Sequence, residues 1–289
     1  MPRIAFATCD AQPDLYAEER ELLPRLAKRG VEAHAVSWTR TADWRSYDLV
    51  VIRSTWDYFE RIAEFRAWLD SLENANVRVQ NPLNVLRWNL DKLYLLDLAE
   101  QGVRIVPTKF VRPGESAIVG DVLAKYGWTD AVLKPLISGG AFRTSRFTAS
   151  DAAAHQPELD ALAATCGAMI QPFLPEIGTD GEWSLFFFGS QFSHAVIKRP
   201  AAGDYRVQPQ FGGRAERVQA PPELIAEAAK IIRLAPEPLL YARVDGVRRG
   251  DRFLLMELEA IEPYLFFATA PEAMDRYVDV VVSAAHTRQ

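Results

Sequence analysis

The sequence predicts a mixed fold: a parallel α/β unit first, then two α+β units. Three observations carry this. Over residues 1–88, apolar strand-like runs alternate with amphipathic helices, the pattern of a parallel sheet covered on both faces. From about residue 89 the chain changes to short strands, short helices and a glycine turn. From about residue 175 two long apolar hairpins appear, turning at Gly189-Ser190 and at Arg249-Gly250-Asp251.

In the first unit "RIAFATC", "VEAHAVSW" and "YDLVVIRS" read as strands, and Tyr16 to Lys28 as a helix stopped by Gly30. In "ERIAEFRAWLDSLE" the residues Ile62, Phe65, Leu69 and Leu72 share one helical face. "NPLNVLRWN" punctuates the chain at residues 81–89 and is taken as the first boundary. The middle unit then reads as the helix "DKLYLLDLAEQG", the strand "VPTKFV", a short helix near Val122, the strand "AVLKPLI" and the turn "SGGAFRTSRFT". A helix around Leu159 to Ala164 and the strand "AMIQPFLP" close it. In the last unit the loop "GDYRVQPQFGG" and the helix "PPELIAEAAKIIRLA", with proline at its start, separate the two hairpins. A final helix spans Pro271 to Ala284.

A chain of 289 residues can bury a sizeable core over two or three domains. Its net charge of −5 is not that of a nucleic-acid coat. Only two cysteines occur, Cys9 and Cys166, far apart in sequence; that is not a disulfide framework, so a reducing cytoplasm is expected. No apolar run is long enough to span a membrane, and the N-terminus lacks a signal-peptide core. GxSxG and HExxH are absent, and the four histidines have no ligand spacing. A covalent protein intermediate is therefore not expected.

The most informative stretch is "LLMELEAIEPYLFF", residues 254–267, where Glu257, Glu259 and Glu262 interrupt an apolar run. In a strand Glu257 and Glu259 share a face, roughly 7 Å apart, with Leu254, Met256, Leu258 and Ala260 on the other. On the preceding strand Asp245 shares a face with Arg243. Asp245, Glu257 and Glu259 are expected to converge, and clustered carboxylates resist burial unless cations neutralise them. Oxygen donors of this kind suit Mg²⁺; a solvent-facing sheet surface is the competing reading. A second feature is Lys134, in an apolar strand just before Gly139 and Gly140, where backbone N–H groups can approach a phosphate. The Walker order is absent, and a β-turn beside a snorkelling lysine explains this stretch equally simply. Lys92, Lys198, Arg206 and Arg243 add positive charge, Arg206 within a glycine-bounded loop able to close over a ligand.

In order, these segments resemble the ATP-grasp superfamily, in its glutathione-synthetase-like branch, from about Asn89 to Phe267. "RWNLDKLYLLDLAEQGVRIVPT", "AVLKPLISGGAFRT", "AMIQPFLPEI", "GDYRVQPQFGG" and "ARVDGV…LLMELEAIEP" carry the likeness. It implies an N-terminal domain over 1–88, a lid-like ATP-binding unit over 89–174 and a metal- and ATP-binding unit over 175–289, the last two sandwiching ATP. It places Lys92, Lys134, Gly139 and Gly140 on the phosphates. Gln171, Pro172, Phe173 and Leu174 would line adenine, and Glu176 or Glu182 would reach the ribose or the adenine edge. Asp245, Glu257 and Glu259 would hold Mg²⁺; many relatives have Asn where this chain has Glu259. Lys198, Arg206 and Arg243 would stabilise charge on the transferred group.

"VVIRSTWDYFERIAEFRAWL" and "MELEAIEPYLFF" are similar to the ligases that form D-cycloserine from O-ureido-D-serine. The implied activity joins carboxylate to nitrogen through an acylphosphate, within one small amino-acid-like molecule. An intermolecular amide ligase and a non-catalytic nucleotide-binding module are the alternatives. Substrate contacts are expected after the first-domain strands, at Thr8, Cys9 and Asp10 and at Ser54, Thr55, Trp56 and Asp57, with loop capping and packing as the competing reading. No nucleic-acid or membrane partner is expected, and homodimerisation stays open.

Overall fold

The computed structural model describes residues 1–287. Strands β1 (Arg3–Thr8), β2 (Glu32–Ser37), β3 (Leu49–Ile52) and β4 (Val79–Gln80) form a parallel sheet in the order β2-β1-β3-β4. Strands β5 (Lys109–Val111), β6 (Asp130–Pro135), β7 (Ser145–Thr148) and β8 (Ala168–Pro172) form an antiparallel sheet, β5-β8-β6-β7. Strands β9 (Glu182–Phe188), β10 (Gln191–Arg199), β11 (Arg214–Val218), β12 (Tyr241–Arg249) and β13 (Arg252–Glu259) form the third, β11-β10-β9-β12-β13.

Strand periodicity explains how each sheet is covered. Ile4 and Phe6 of β1, with Leu49 and Val51 of β3, face a core shared with α1 (Leu22–Lys28) and α9 (Pro271–His286). Ala5, Ala7, Val50 and Ile52 face the other way, onto Phe65, Trp68, Leu69 and Leu72 of α2 (Ile62–Asn74). A parallel sheet buried on both sides must be apolar on both sides, as these runs are. The long helix α9 thus returns to the first sheet, and Arg25–Asp275 (2.6 Å) and Arg29–Asp279 (2.7 Å) tie it to α1. The second sheet is covered on one face by α5 (Val119–Tyr126) and α6 (Gln156–Ala163).

The helix expected over 16–28 is shorter. A 3-10 turn at Ala17–Glu19 precedes α1, because Pro24 has no N–H and its ring would clash with the carbonyl four residues back. Pro24 sits instead in the first turn of α1, where the amide is unneeded. The expected boundary at 81–89 is a helix, α3 (Leu83–Asn89), entered through Pro82. It is followed by α4 (Tyr94–Glu100). Val85, Tyr94, Leu95 and Leu98 from these helices share a core with Leu185, Phe187, Val244, Leu255 and Leu258 of the third sheet. α8 (Pro222–Ile232) completes that core. Residues 83–100 therefore pack on the third sheet in a core that Phe110, Leu136 and Met169 of the second unit also enter. Strand β11, unassigned in the sequence reading between the 203–213 loop and α8, forms the outer edge.

The same segment seals the other edge strand, β13. Asn89 donates to Leu258 O (2.7 Å) and accepts from Ala260 N (2.8 Å). The Tyr94 hydroxyl accepts from Leu258 N at 2.8 Å, and residues 104–106 bond both backbone groups of Leu255. An open edge is a liability in any sheet, and here it is satisfied from within the chain. Asn81, fully buried, donates to Tyr241 O (2.9 Å) and Ala260 O (2.7 Å) and accepts from Leu240 N (2.6 Å). Among the described residues no helix is long and apolar enough to cross a membrane.

Asn81→Ala should cost roughly 3 kcal/mol, because it leaves several buried backbone groups without partners. The denaturant midpoint should fall at unchanged slope. A midpoint within error of the wild type would mean that the Asn81 bridge does not join the first sheet's exit to the third sheet.

Candidate active site

The third sheet has one apolar face and one charged face, and strand alternation puts the charges together. Leu185, Phe187, Ala242 and Val244 point into the core. Glu182, Ser184, Arg243 and Asp245 therefore point the opposite way, and cross-strand register aligns them. Glu182 pairs with Lys198, Ser184 with Asp245, Asp245 with Glu257 and Arg243 with Glu259. The sequence expectation that Leu254 and Met256 lie opposite the glutamates fails. Register shifts between Asp245 and Gly246, so Glu257 faces Asp245 while Leu255 faces Gly246 and Met256 is the extra residue of a β-bulge. Leu255 and Leu258 both enter the core, whereas Leu254 and Met256 join Val106, Leu174, Ile177, Val207 and Val247 in a small separate cluster. Gly246 allows the bulge, since a Cβ there would lie 2.4 Å from Leu254 O and from the Phe253 ring.

Arg243 is the hub of the charged face. It donates to Asp245 through Nε (3.1 and 3.0 Å), to Tyr264 O (3.0 Å) and to the Glu259 carboxylate. Lys198 lies 2.5 Å from Glu182 and 3.5 Å from Asp245. The Ser184 hydroxyl also donates to Asp245. Burial alone would raise the Asp245 carboxyl, but Arg243 and Lys198 overrule it and hold it below the usual value. Burial pushes Glu259 upward, as do the nearby Glu257 and Asp245, with Arg243 as counterweight.

The second unit brings its own cations to this face. Lys134 pairs in register with Met169, on the side of the second sheet away from α5 and α6. It has no carboxylate within 4 Å among the described residues; burial lowers its pKa, against the pull of Glu257 and Glu182. Lys92 donates to Ser138 O (2.8 Å) and Ser138 Oγ (3.2 Å) and lies 3.2 Å from Glu257. The glycine loop is tethered. Gln210 donates to Gly140 O (3.2 Å), Tyr205 to Thr144 O (3.0 Å), and Phe142 packs on Phe59 with ring centroids 5.1 Å apart. Gly140 has φ +58°, and a Cβ at Gly139 would meet the Phe59 ring at 3.1 Å, so both positions need glycine.

Other expected site residues have partners of their own. Arg206 is held by Asp204 (3.0 and 2.8 Å) over the Phe211 ring at 3.6 Å, apart from Lys198 and Arg243. This pairing drives the Asp204 carboxyl well below the usual range. Glu176 is tied to Arg249 at the tip of the β12–β13 hairpin (2.5 Å), whereas Glu182 is buried beside Lys198. Phe173 lies under the Arg146 guanidinium at 3.5 Å and Gln171 donates to Thr108 Oγ1 at 2.9 Å; Leu174 lines the small apolar cluster, and Pro172 ends β8 beside them.

Thr8, Ser54 and Thr55 are fully buried, and Ser54 donates to Glu19 while accepting from Tyr16 N. Ser54 is thus a capping residue, whereas the Thr8 and Thr55 hydroxyls are buried without a hydrogen-bond partner among the described residues. Asp10 accepts from Ser37 (2.7 Å) and Thr39 (2.8 Å), and Asp57 from Trp38 (2.8 Å). Cys9 is buried, and burial raises its thiol, the opposite of a nucleophile. Of the first-domain set only Trp56 reaches the C-terminal glutamate run, donating to Glu262 O at 3.1 Å. Among the described residues no three His, Cys, Asp or Glu side chains are gathered to hold a metal ion, because Arg243 stands between Asp245 and Glu259. Glu257 and Glu259 remain as oxygen donors, and their crowding favours a cation.

The sequence reading gave no role to Tyr58, Tyr264 or Glu262, nor did it find the Arg53–Glu19 pair, fully buried against Tyr241 and Tyr277. Glu262 had a visible signal, a third glutamate in an apolar run. Burial and Glu257 push its carboxyl up to about 7.

Asp245→Asn should destabilise by about 3–5 kcal/mol, since Arg243 and Lys198 would lose the charge that justifies their burial. The sign follows from a lowered native pKa. The contribution is complete above the usual carboxylate range and is lost as pH falls through the native value. Melting temperatures at neutral pH check the first point; a variant as stable as the wild type would remove Asp245 from the hub.

A family model described as the N-terminal domain of D-cycloserine synthetase DcsG matches residues 4–81. The cycloserine biosynthesis protein DcsG of Streptomyces lavendulae is 33% identical over 268 residues, covering 87% of this chain and 88% of that protein. The crystal structure of D-cycloserine synthetase DcsG superposes with a TM-score of 0.89 at 29% identity, over 98% of this chain and 99% of that one. The ATP-grasp ligase PsnB superposes at 0.69 and 17% identity over 99% of each chain. D-alanine–D-alanine ligase from Bacillus anthracis does so at 0.72 and 15% identity, over 99% of this chain and 97% of that one. The last two are likenesses of fold. A converging set of buried lysines, an arginine and glutamates on an ATP-grasp fold, joined to this identity over most of both chains, leads to one conclusion: the chain belongs to the D-cycloserine synthetase (DcsG) family of ATP-grasp ligases.

Proposed function

We propose that this ATP-dependent C–N ligase closes a ring within one amino-acid-derived carboxylate, with O-ureido-D-serine as substrate and D-cycloserine as product. The observation that supports it is the convergence of Lys92, Lys134, Lys198 and Arg243, from separate segments, around Glu257 and Glu259. Such a site neutralises a triphosphate and leaves chemistry to the reactants, as phosphoryl transfer requires. The substrate carboxylate oxygen attacks the γ-phosphorus, the bond to the β-bridging oxygen breaks, and ADP leaves. The ureido nitrogen bonded to oxygen then attacks the carbonyl carbon, expelling phosphate with loss of a proton, and hydrolysis of the carbamoyl group left on that nitrogen, to carbon dioxide and ammonia, gives D-cycloserine.

Lys134, free of carboxylate partners, takes a phosphate oxygen together with the backbone of Gly139 and Gly140. Lys92 bridges this loop to Glu257. Arg243 stabilises charge on the transferred group, while Lys198 and Asp245 fix its position. The cluster of Val106, Leu174, Val247, Leu254 and Met256 receives adenine, with Gln171, Pro172 and Phe173 at its border, and Glu182 takes the ribose. Glu257 and Glu259 would hold Mg²⁺, which supplies Lewis acidity and a template for the phosphates. Asp245 would join them only by loosening its contacts with Arg243 and Lys198. Arg206 acts after its loop parts from Asp204.

The test is to incubate the protein with Mg·ATP and O-ureido-D-serine, following ADP release and product mass. Ring product from one organic substrate is expected; a requirement for an added amine would indicate an intermolecular ligase, and ATP binding without ADP release a non-catalytic module. Lys134→Ala should lower kcat/KM for ATP about a hundredfold or more. Unchanged ATP dependence would contradict the phosphate role. Glu257→Gln combined with Glu259→Gln should abolish turnover with the fold kept, as checked by circular dichroism. Near-normal rates at saturating Mg²⁺ would remove both from the metal.

A further inference from the structure

The carboxylates of the charged face are matched with cations, with one exception. Glu257 has Lys92 at 3.2 Å, Asp245 and Glu259 have Arg243, and Glu182 has Lys198 at 2.5 Å. Glu262 is more than nine-tenths buried, with no cation within 4 Å and no side-chain hydrogen bond among the described residues. A buried carboxylate without a partner is costly, and such a group in a cleft points to a ligand that completes it.

Its surroundings define what that ligand is. One Glu262 oxygen lies 3.9 Å from the position a Cβ would take on Gly139, so the carboxylate faces the glycine loop. Its own backbone oxygen is held by the Trp56 indole at 3.1 Å. Trp56, Tyr16 and Tyr264 form a cup of half-buried rings, with centroids 5.1 Å (Tyr16–Trp56), 5.2 Å (Tyr16–Tyr264) and 6.3 Å (Trp56–Tyr264) apart, all edge to face. The buried Tyr58 phenol also senses Glu262: burial, then this carboxylate, raises it. The Tyr264 hydroxyl of this cup is taken by Glu18, so Glu262 is the acid left without a counter-charge, and a compact cation completes it. The cations nearby belong to the phosphates and the substrate carboxylate; Glu262 supplies the opposite charge on the N-terminal side of the glycine loop.

We infer that Glu262, its backbone fixed by Trp56 and its carboxylate facing the glycine loop, binds the ammonium group of the amino-acid substrate and so sets the preference for amino acids over simple carboxylic acids. The inference rests on the ligase reading above and deepens it by naming the residue that reads the substrate's amino group. A bound ammonium also explains why Glu262 remains a glutamate in an otherwise apolar run: until the ligand arrives, partial protonation relieves its burial.

The test is calorimetry on the full chain with Mg²⁺ and the β,γ-imido analogue of ATP. Two ligands are compared, O-ureido-D-serine and the same molecule with hydrogen in place of the amino group. The wild type should prefer the amino acid about tenfold to a hundredfold, the range for a hydrogen bond to a charged group. Glu262→Gln, which keeps the shape and removes the charge, should bind both alike, with nucleotide affinity unchanged. Glu262→Asp should restore part of the preference, which a merely structural role would not do. Equal binding of the two ligands by the wild type overturns the inference whether or not the variants fold. So does an undiminished preference in Glu262→Gln. Intact preference with no ADP release by the wild type would instead sink the ligase reading and leave the amino-group site standing.

Discussion

The Arg243 guanidinium lies buried on the charged face of the third sheet, bonded to Asp245, Glu259 and Tyr264 O. The rest of the site follows from this arrangement. A buried cation of this kind persists only where its charge and its donors are matched, and the matching groups come from adjacent strands in fixed register. Asp245 is satisfied by Arg243, Lys198 and Ser184, the more exposed Glu257 and Glu259 each share one cation, Lys92 or Arg243, and Glu262 has none among the described residues. The order of charges across the strands thus fixes which side chains hold the scaffold and which stay available.

The segment between the first and second sheets positions this face. Asn89, Tyr94 and residues 104–106 close the edge of β13, and the same stretch carries Lys92 to Glu257 and Ser138. Edge sealing and delivery of a lysine are therefore one feature. The glycine loop is joined to the first domain by Phe59–Phe142 and to the Arg206 loop by Gln210 and Tyr205. Elements from all three sheets thus meet above the charged face, as a reaction that excludes water would need.

Much of this was legible because it is local. Periodicity placed Arg243 with Asp245 and Glu257 with Glu259, since alternation is a property of any strand. It failed at Met256, where a bulge shifts the register and carries Leu254 and Met256 into the apolar cluster. Thr8, Ser54 and Thr55 follow parallel strands, where ligand-facing loops lie, and their burial was not legible in the sequence. Arg206 and Glu176 are each held by a partner, Asp204 or Arg249, that no sequence pattern selects.

The sequence by itself determined the strands and helices, the alternation of charge along β12 and β13, and the order of motifs that marks an ATP-grasp ligase, because these depend on neighbours along the chain. Only the tertiary structure decided which carboxylates are neutralised and which are not. Whether Glu262 is paired with a cation depends on where Lys92, Lys198 and Arg243 come to rest, and those positions are set by contacts between residues far apart in the chain.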